Sequence, residues 1–235
     1  MRDDVRSDTS QVRGPVLARL ESELKTLLAE CGVPVPRGLV GSTATDCARE
    51  AAGLTFPVAV KALSVDLPHK QRVGAVRTWV HSPAAVREAV GDIERSVGSL
   101  APGARIAGFL VEEMAPPGLE LIIGVVRDPT FGFVATVGMG GTWTELGKAS
   151  FRLAPVTRGG ARAMLCSLPV RLFGATGWLR TPSEAGALVD VLLAVTGRGG
   201  LYERFGDRLY AMEINPLIVS SDGAVAVDAK LMELR

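Results

Sequence analysis

The sequence has few cysteines, almost no net charge and no long apolar run, and each of these shortages excludes a class of protein. Its three cysteines, Cys31, Cys47 and Cys166, are widely spaced and form no CxxC pair, so we interpret them as buried thiols in a reducing compartment. The formal net charge of +1 predicts neither a nucleic-acid-binding face nor an acidic partner surface. No stretch has the length of a membrane span or the plan of a secretory signal, so we expect a cytoplasmic protein that does not enter a membrane.

Two short runs near the end of the chain, residues 212–217 and 225–230, read as β-strands. Asp222-Gly223 lies between them, and an Asp-Gly pair flanked by strands is a strong signal for a hairpin turn. Because side chains alternate between the two faces of a strand, Glu213 and Asn215 share one face. The pattern therefore predicts a closing hairpin with polar groups on one side.

If this hairpin pairs in register, Asp228 approaches the face that carries Glu213 and Asn215. Two carboxylates and an amide oxygen around one point suit a hard cation, and Mg²⁺ at such a site also holds nucleotide phosphates. This interpretation points to phosphoryl chemistry. The alternative is a solvated polar face on an edge hairpin, and spacing alone does not decide between the two.

The rest of the chain mixes helical and strand patterns, which predicts an α+β fold. Residues 1–14 are polar without periodicity, and we expect a disordered tail. A helix is predicted from Val16 to a stop at Gly32, and the apolar run over 57–62 is typical of a buried strand. Ser82-Pro83 predicts a helix start, with a cap and a first-turn proline. Further helices are predicted over 43–52, 158–166 and 181–196, the last opened by a capping box, and further strands over 73–80, 109–114, 119–127 and 131–138.

Several residues in this pattern suit the parts of a nucleotide. Lys61 ends the first apolar strand, from which its ammonium group can reach a phosphate while the stem stays packed. The extended backbone over 111–114 can face an adenine edge, with Met114 against the ring. Glu120 lies across the following turn, where its carboxylate can take ribose hydroxyls.

Two further features suit the phosphates. The glycines within 138–141 allow a phosphate to approach the backbone closely, and Arg152 can stabilise charge on a phosphoryl group in transfer. Each candidate also has an ordinary explanation, as a surface lysine, a pair of exposed strand acids or a glycine-rich hairpin loop. The order of the candidates along the chain is therefore the stronger evidence.

Six motifs follow one another along the chain: FPVAVK (56–61), SVDLPHK (64–70), GFLVEEM (108–114), ELIIGVVRDP (120–129), SFRLAP (150–155) and EINPL (213–217). In combination they resemble the ATP-grasp fold, and in particular the β subunit, or ATP-grasp domain, of NDP-forming acyl-CoA synthetases. The chain is similar to succinyl-CoA synthetase β chains at greater distance. The resemblance extends from about residue 16 to the C-terminus.

The resemblance implies two subdomains, over 15–115 and 116–235, that clasp ATP or ADP with a hinge near 114–118. It also implies a role for each candidate residue. Lys61 would hold the α- and β-phosphates, Val111, Glu112, Glu113 and Met114 would line the adenine hinge, Glu120 would bind ribose, Arg152 would steady the transferring phosphate, and Glu213, Asn215 and Asp228 would coordinate Mg²⁺.

His69, in the second motif, receives the most specific role. In this family the matching histidine takes part in relaying a phosphoryl group, and a neutral imidazole near pH 7 is nucleophilic enough to carry phosphate on one ring nitrogen. Without the motif, a histidine between Pro68 and Lys70 would most often be a solvated loop residue.

The implied function is that of the nucleotide-binding β subunit of an ADP-forming acyl-CoA synthetase, an acid–thiol ligase. Acyl-CoA, phosphate and ADP give a small carboxylic acid, CoA and ATP reversibly, and histidines carry the phosphoryl group. In this family the CoA-binding and ligase modules lie in an α subunit or another part of a fused chain, so a partner is expected. Two alternatives stay open: a non-catalytic ATP-binding regulatory or scaffold subunit, and a stand-alone ATP-grasp ligase that joins a carboxylate to an amine.

Overall fold

A computed structural model describes residues 16–141, 149–172, 177, 179, 182–221 and 223–234. The predicted tail over 1–14, the cap at Thr181 and Asp222 of the predicted turn lie outside these residues. The strands are β1 Val16–Ala18, β2 Gly38–Gly41, β3 Val58–Leu63, β4 Val76–Val80, β5 Gly108–Glu113, β6 Leu119–Asp128, β7 Gly132–Met139, β8 Ala149–Leu153, β9 Leu209–Ser220, β10 Gly223–Ala226 and β11 Ala229–Leu234. The helices are α1 Glu21–Glu30, α2 Ala44–Ala51, α3 Pro83–Leu100, α4 Arg158–Cys166, α5 Pro182–Thr196 and α6 Leu201–Phe205, with 3-10 turns at Lys70–Val73 and Gly206–Arg208.

The strands form two antiparallel sheets. The smaller sheet has the order β2-β5-β3-β4, and the larger has the order β1-β11-β9-β6-β7-β8, with β10 also paired to β9. The mixture of helices and antiparallel sheets confirms the predicted α+β class.

Helices α2 and α3 cover one face of the smaller sheet. Ser82 caps α3 by accepting a hydrogen bond from the Ala85 amide, with a proline in the first turn as the sequence predicts. The predicted apolar stripe of α3 is buried against β3 and β4. Because side chains alternate along β3, Val58 and Val60 enter this core while Lys61 faces the opposite side. The core consists of Cys47, Ala51, Val58, Val60, Ala62, Leu67, Ala75, Val80, Val86, Ala89, Val90, Ile93, Val97, Phe109 and Val111.

The larger sheet shares a second apolar core with α1, α4, α5 and α6. The helix predicted over 158–166 is observed with those bounds, and the Thr157 side chain caps it by accepting from the Gly160 amide. Sheet residues that alternate toward these helices, such as Leu121 and Ile123 of β6, are fully buried. This packing leaves the opposite face of the sheet, with Glu120, free to form one wall of a cleft.

The predicted closing hairpin is confirmed, and it is longer than predicted. Strand β9 pairs with β10 next to the turn and with β11 farther along. Between the two ladders the Asn215 amide donates to the Asp228 carbonyl oxygen at 2.8 Å, and the Val227 amide donates to the Pro216 carbonyl oxygen at 3.0 Å. The hairpin therefore places Asp228 directly opposite Asn215.

Two predicted boundaries are wrong near the start of the chain and near His69. The helix predicted from Val16 begins at Glu21, because residues 16–18 pair as a strand with β11 and Leu20 is extended at the cap. The strand predicted from residue 73 begins at Val76, because a 3-10 turn and Gly74, with φ of +63°, precede it.

The interpretation of all three cysteines as buried thiols is also wrong. Cys47 is buried between α2 and the smaller sheet, whereas Cys31 is half-buried and Cys166 is exposed. Burial, with the neighbouring Asp46 carboxylate, raises the pKa of Cys47 to about 11. Cys31 directly follows α1 and packs against the larger core, and Cys166 is the last residue of α4.

Helix α1 connects the two halves of the molecule. Its Leu24 and Leu28 belong to the core of the larger sheet, while Glu21 and Lys25 contact side chains of the smaller sheet. Helix α1 belongs by sequence to the predicted first subdomain, residues 15–115, but it packs with the larger sheet. The division into two subdomains at 115/116 stays a prediction.

Among the described residues, none of the helices combines the length and apolar character that a bilayer crossing requires.

We expect Ile93→Ala to lower the free energy of unfolding by about 2–5 kcal/mol, because it leaves a cavity in the core of the smaller sheet. Ile93 is fully buried and Glu94, next to it on α3, is exposed. Urea unfolding followed by circular dichroism measures the change, with Glu94→Ala as the control at within about 0.5 kcal/mol. Equal effects of the two substitutions would contradict the placement of α3.

Candidate nucleotide-binding cleft

A cleft of about 430 Å³ opens between the two sheets. Its walls come from β3, β4 and the end of β5 on one side and from β6, β9 and β11 on the other. Eight of the predicted site residues line it: Lys61, His69, Glu112, Glu113, Met114, Glu120, Asn215 and Asp228. Residues separated by more than 150 positions in the chain are thereby brought together.

An ionic cluster of three lysines and three acids forms the floor of the cleft. Lys61 and Glu112 project from neighbouring strands on the same face of the smaller sheet, and the Lys61 Nζ lies 2.5 Å from the Glu112 Oε1. Lys61 Nζ also donates to the Glu21 Oε1 at 2.9 Å and to the Val227 carbonyl oxygen at 2.7 Å. Lys61 thus donates two hydrogen bonds and forms an ion pair with Glu112, whose buried Oε1 has no hydrogen-bond donor among the described residues. The members of the ionic cluster are Glu21, Lys25, Lys61, Lys70, Glu112 and Asp228.

Helix α1 supplies two members of the ionic cluster. Glu21 and Lys25 are one turn apart, with 3.4 Å between the Lys25 Nζ and the Glu21 Oε1, and Lys25 also pairs with Glu112. Lys70 enters from the 3-10 turn and contacts the Glu21 Oε2 and, at 3.5 Å, the Asp228 Oδ1. The side chains of Glu21, Lys25, Lys61, Lys70 and Glu112 are each less than 10% exposed, so their charges are compensated within the protein rather than by water.

Burial and the neighbouring charges shift the pKa values of this cluster. Burial acts to raise the pKa of Glu21, but the lysine ammonium groups, that of Lys61 first, outweigh it and hold the pKa well below its ordinary value. Burial acts to lower the pKa of Lys61, but the three carboxylates raise it above its ordinary value. The pKa of Lys25 is lowered by burial and by the Lys61 charge, and the pKa of Asp228 is raised by burial and by the Glu21 carboxylate.

The strand end predicted as an adenine hinge borders the cleft, but its amide groups are partly used. The Glu113 amide donates to the Arg37 carbonyl oxygen, and the Met114 amide donates to the Pro57 carbonyl oxygen. The Glu113 carboxylate accepts from the Thr55 amide at 2.8 Å. Ala115, which also lines the cleft, is the next residue along this edge.

Glu120 lies across the cleft from the hinge, packed against the glycine loop. The Gly140 amide donates to the Glu120 carbonyl oxygen at 2.8 Å. Gly141 has a φ of +58°, and a Cβ there would lie 2.6 Å from the Glu120 Oε2. The glycines thus allow the Glu120 carboxylate to lie along the backbone at the cleft wall.

The hairpin presents two oxygen donors to the cleft. Asn215 and Asp228 line it, and the Asn215 Nδ2 donates to the Glu213 Oε1 at 3.0 Å. This bond leaves the amide oxygen of Asn215 as its available donor for a cation. In the described parts of the chain, no group of three or more His, Cys, Asp or Glu residues that could hold a metal ion is found.

His69 is exposed at the cleft rim, where it immediately precedes the 3-10 turn. Lys70, the next residue, is buried in the ionic cluster. The backbone of His69 is therefore tied to the cluster, while its imidazole stays accessible from the cleft.

Three predicted site residues do not line the cleft in the part of the chain that the structure describes. Val111 is buried in the core of the smaller sheet, and Glu213 contacts Asn215 instead. Arg152 is exposed on β8, opposite Ala135 of β7, which is buried in the core of the larger sheet. The Arg152 side chain also lies close to α4, since a Cβ added at Gly160 would be 3.1 Å from the Arg152 Cδ. Arg152 is thus on the face opposite to the cleft, and its predicted role stays a prediction.

Five residues of the cleft and its ionic cluster have no role in the sequence-based prediction: Glu21, Lys25, Lys70, Arg72 and Lys230. One signal for the first pair was present: Glu21 and Lys25 are four residues apart and flank the apolar Leu24, so they lie beside a face that must be buried. Lys230 pairs across the hairpin with Glu213, which only the register of β11 reveals.

The chain matches the family model of the ATP-grasp domain over residues 15–232. It is 34% identical over 221 residues to the β subunit of acetate–CoA ligase [ADP-forming] II from Pyrococcus furiosus, covering 92% of this chain and 91% of that one. It also superposes on the dinucleotide-forming acetyl-coenzyme A synthetase 1 of Ca. Korarchaeum cryptofilum in complex with coenzyme A and Ca-AMPCP, with a TM-score of 0.81 and 32% identity. The match covers 93% of this chain and 94% of that chain.

A second structure of the Korarchaeum enzyme, with coenzyme A and Mg-AMPPCP, has its phosphohistidine segment pointing towards the nucleotide-binding site. It is similar to this chain with a TM-score of 0.71 and 30% identity, and covers 93% of both chains.

We expect Lys25→Met to lower the free energy of unfolding by about 3–5 kcal/mol, because it leaves the buried Glu112 short of a cation while keeping the packed stem. Arg95→Met is the matched control. It removes an exposed cation paired with Asp92 and should change the free energy by at most about 1 kcal/mol. Urea unfolding measures both, and a Lys25→Met variant as stable as the control would contradict the buried ionic cluster.

Proposed function

Because this chain belongs to the ATP-grasp family, as a β subunit of the ADP-forming acetyl-CoA synthetase type, we propose that its cleft binds ATP or ADP and exchanges a phosphoryl group with a histidine of a CoA-binding partner. The overall reaction is the reversible conversion of acyl-CoA, phosphate and ADP into a small carboxylic acid, CoA and ATP. The enzyme class is acid–thiol ligase.

One observation carries the proposal: the cleft brings cations, oxygen donors and an accessible imidazole together from both sheets. Lys61 and Lys70 are cations that suit phosphates, Asn215 and Asp228 offer oxygen to a metal ion, and His69 stands at the rim. Phosphoryl transfer from a nucleotide to a histidine uses all three kinds of group, because the cations and the metal ion position and neutralise the phosphates and the imidazole accepts the transferred group.

We assign the nucleotide along the cleft from the hinge to the hairpin. The edge at Glu113 to Ala115, with Met114, would take the adenine, and Glu120 would accept hydrogen bonds from the ribose hydroxyls. Lys61 would contact the α- and β-phosphates by exchanging one of its present acceptors for phosphate oxygen.

Asn215 and Asp228 would hold Mg²⁺, since Mg²⁺ prefers oxygen ligands and is commonly bound by one or two protein groups together with phosphates and water. When bound, the ion neutralises charge on the phosphates in transfer. Glu213 would act by orienting the Asn215 amide, in agreement with the hydrogen bond between them. Arg152 would require a different placement to act on the phosphates.

His69 would be the phosphoryl acceptor of this chain. A lone pair of its neutral imidazole forms a bond to the γ-phosphorus of ATP while the bond from that phosphorus to the ADP oxygen breaks, and ADP leaves. The phosphoryl group then passes to a histidine of the partner, with each step reversible. In the Korarchaeum structure with Mg-AMPPCP, a phosphohistidine segment points towards the nucleotide-binding site.

The partner in this proposal is an α subunit, or an equivalent module, that binds CoA and a small carboxylic acid, and the complex works in the cytoplasm. A non-catalytic scaffold and a stand-alone carboxylate ligase are not favoured, because the chain matches two β subunits of ADP-forming acetate–CoA ligases over 90% or more of their length. The exposed His69 in the cleft also argues against a decayed relay.

We expect calorimetric titration with ATP and ADP to show saturable binding that depends on Mg²⁺. Asp228→Asn should weaken it by at least about tenfold, since the metal loses its carboxylate ligand. Asp190→Asn is the control, because Asp190 is exposed and pairs with Arg158 of a neighbouring helix. Absence of binding by the wild-type chain, both alone and with its partner, would refute the proposed function.

His69→Ala should lower turnover of the complex with the partner by on the order of 10³-fold or more, while the affinity for ADP changes little. His81→Ala, at the other histidine of the chain and also exposed, is the control. Transfer of labelled phosphate to this chain, measured as the bound label that acid releases, reports the phosphohistidine intermediate directly. Unchanged turnover in the His69→Ala complex would show that the relay bypasses this residue.

A further inference from the structure

Two lysines of the cleft, from different elements, are held by the two oxygens of one buried carboxylate. The Glu21 Oε1 accepts from the Lys61 Nζ at 2.9 Å, and the Glu21 Oε2 accepts from the Lys70 Nζ. Lys61 lies on β3, and Lys70 lies in the 3-10 turn that begins after His69. The span between the two carboxylate oxygens thus sets the separation of the two ammonium groups.

Glu21 itself is fixed from the side of the larger sheet. Its side chain is 1% exposed, and Leu24 and Leu28 of the same helix are buried in the larger core. The Glu21 pKa lies well below its ordinary value, because the lysine ammonium groups outweigh burial. The carboxylate is therefore a permanent anion at a rigid position beneath the cleft.

We infer that Glu21 is a positioning residue of the phosphoryl-transfer site, which holds Lys61 for the nucleotide phosphates and Lys70 for the backbone of His69. This inference rests on the proposed function of the cleft. Glu21 does not line the cleft, so it would act through the two lysines and not by contact with the nucleotide or the phosphoryl group. An acceptor on α1 thereby couples nucleotide binding and the placement of His69 to the packing of the two sheets.

A charge-balanced double variant separates positioning from stability. Glu21→Gln alone leaves the three buried lysines with two acids and can simply unfold the protein. Glu21→Gln combined with Lys25→Met removes one anion and one cation, so Lys61 and Lys70 remain balanced by Glu112 and Asp228. The double variant should therefore melt close to the wild type, but without the carboxylate that holds both lysines.

The complex with the CoA-binding partner is the system to test, with calorimetric affinity for Mg-ADP and the rate of phosphohistidine formation as readouts. We expect the double variant to bind Mg-ADP at least about tenfold more weakly and to form phosphohistidine on the order of 10²-fold more slowly. Glu23→Gln, at an exposed acid of the same helix, is the matched control and should equal the wild type in both measurements.

Glu21→Asp provides a second test that keeps the charge. The shorter side chain withdraws the carboxylate by one methylene, so it can no longer contact Lys61 and Lys70 at the same time. The affinity for Mg-ADP and the rate of phosphohistidine formation should both fall to values between those of the wild type and the double variant. Wild-type affinity and rate in either the double variant or Glu21→Asp would overturn the inference while leaving the proposed function intact. If the wild-type complex binds no Mg-ADP at all, the proposed function fails, and the inference fails with it.

Discussion

The structure depends on one arrangement of charge: three ammonium groups and three carboxylates enclosed between the two sheets. An unpaired charge at such a depth is costly, whereas an equal number of opposite charges at hydrogen-bonding distance compensates the loss of water. The six groups come from α1, β3, β5, the turn after His69 and the hairpin near Asp228. None of these elements can shift alone without leaving a partner uncompensated.

Helix α1 makes this arrangement possible because its two sides do different things. Leu24 and Leu28 are part of the larger core, and Glu21 and Lys25 reach the smaller sheet. The helix is therefore apolar toward one sheet and ionic toward the other. The ionic side of α1 lies beneath the cleft and contacts Lys61 and Lys70. The position of these two cations relative to the oxygens of the hairpin therefore depends on how α1 packs.

Much of the fold follows from local patterns, and the remainder depends on pairing. Helix α3 and the hairpin were predictable because a cap, an apolar period of helix type and an Asp-Gly turn each act over a few residues. The early strand was taken for helix because Val16 fits a helical spacing, and only β11, more than 200 residues away in the chain, shows otherwise. Arg152 was placed with the phosphates from its motif, but the face that it occupies depends on the register of β8 against β7. Glu21 and Lys25 were not predicted as site residues, since the lysines and the acid that they contact lie on other elements.

The pairing of β1 with β11 also has a consequence for how this protein is made. Arg19 and Glu233 contact each other at 2.5 Å although 214 positions separate them in the chain. During synthesis β1 and α1 emerge before β11, the strand that pairs with β1 and is more than 200 residues away in the chain. Contacts of such large sequence separation close late and slow folding. The smaller sheet, whose strands all lie within residues 38–113, has all its strands before β11 is synthesised, whereas the larger sheet cannot be completed until β11 has emerged.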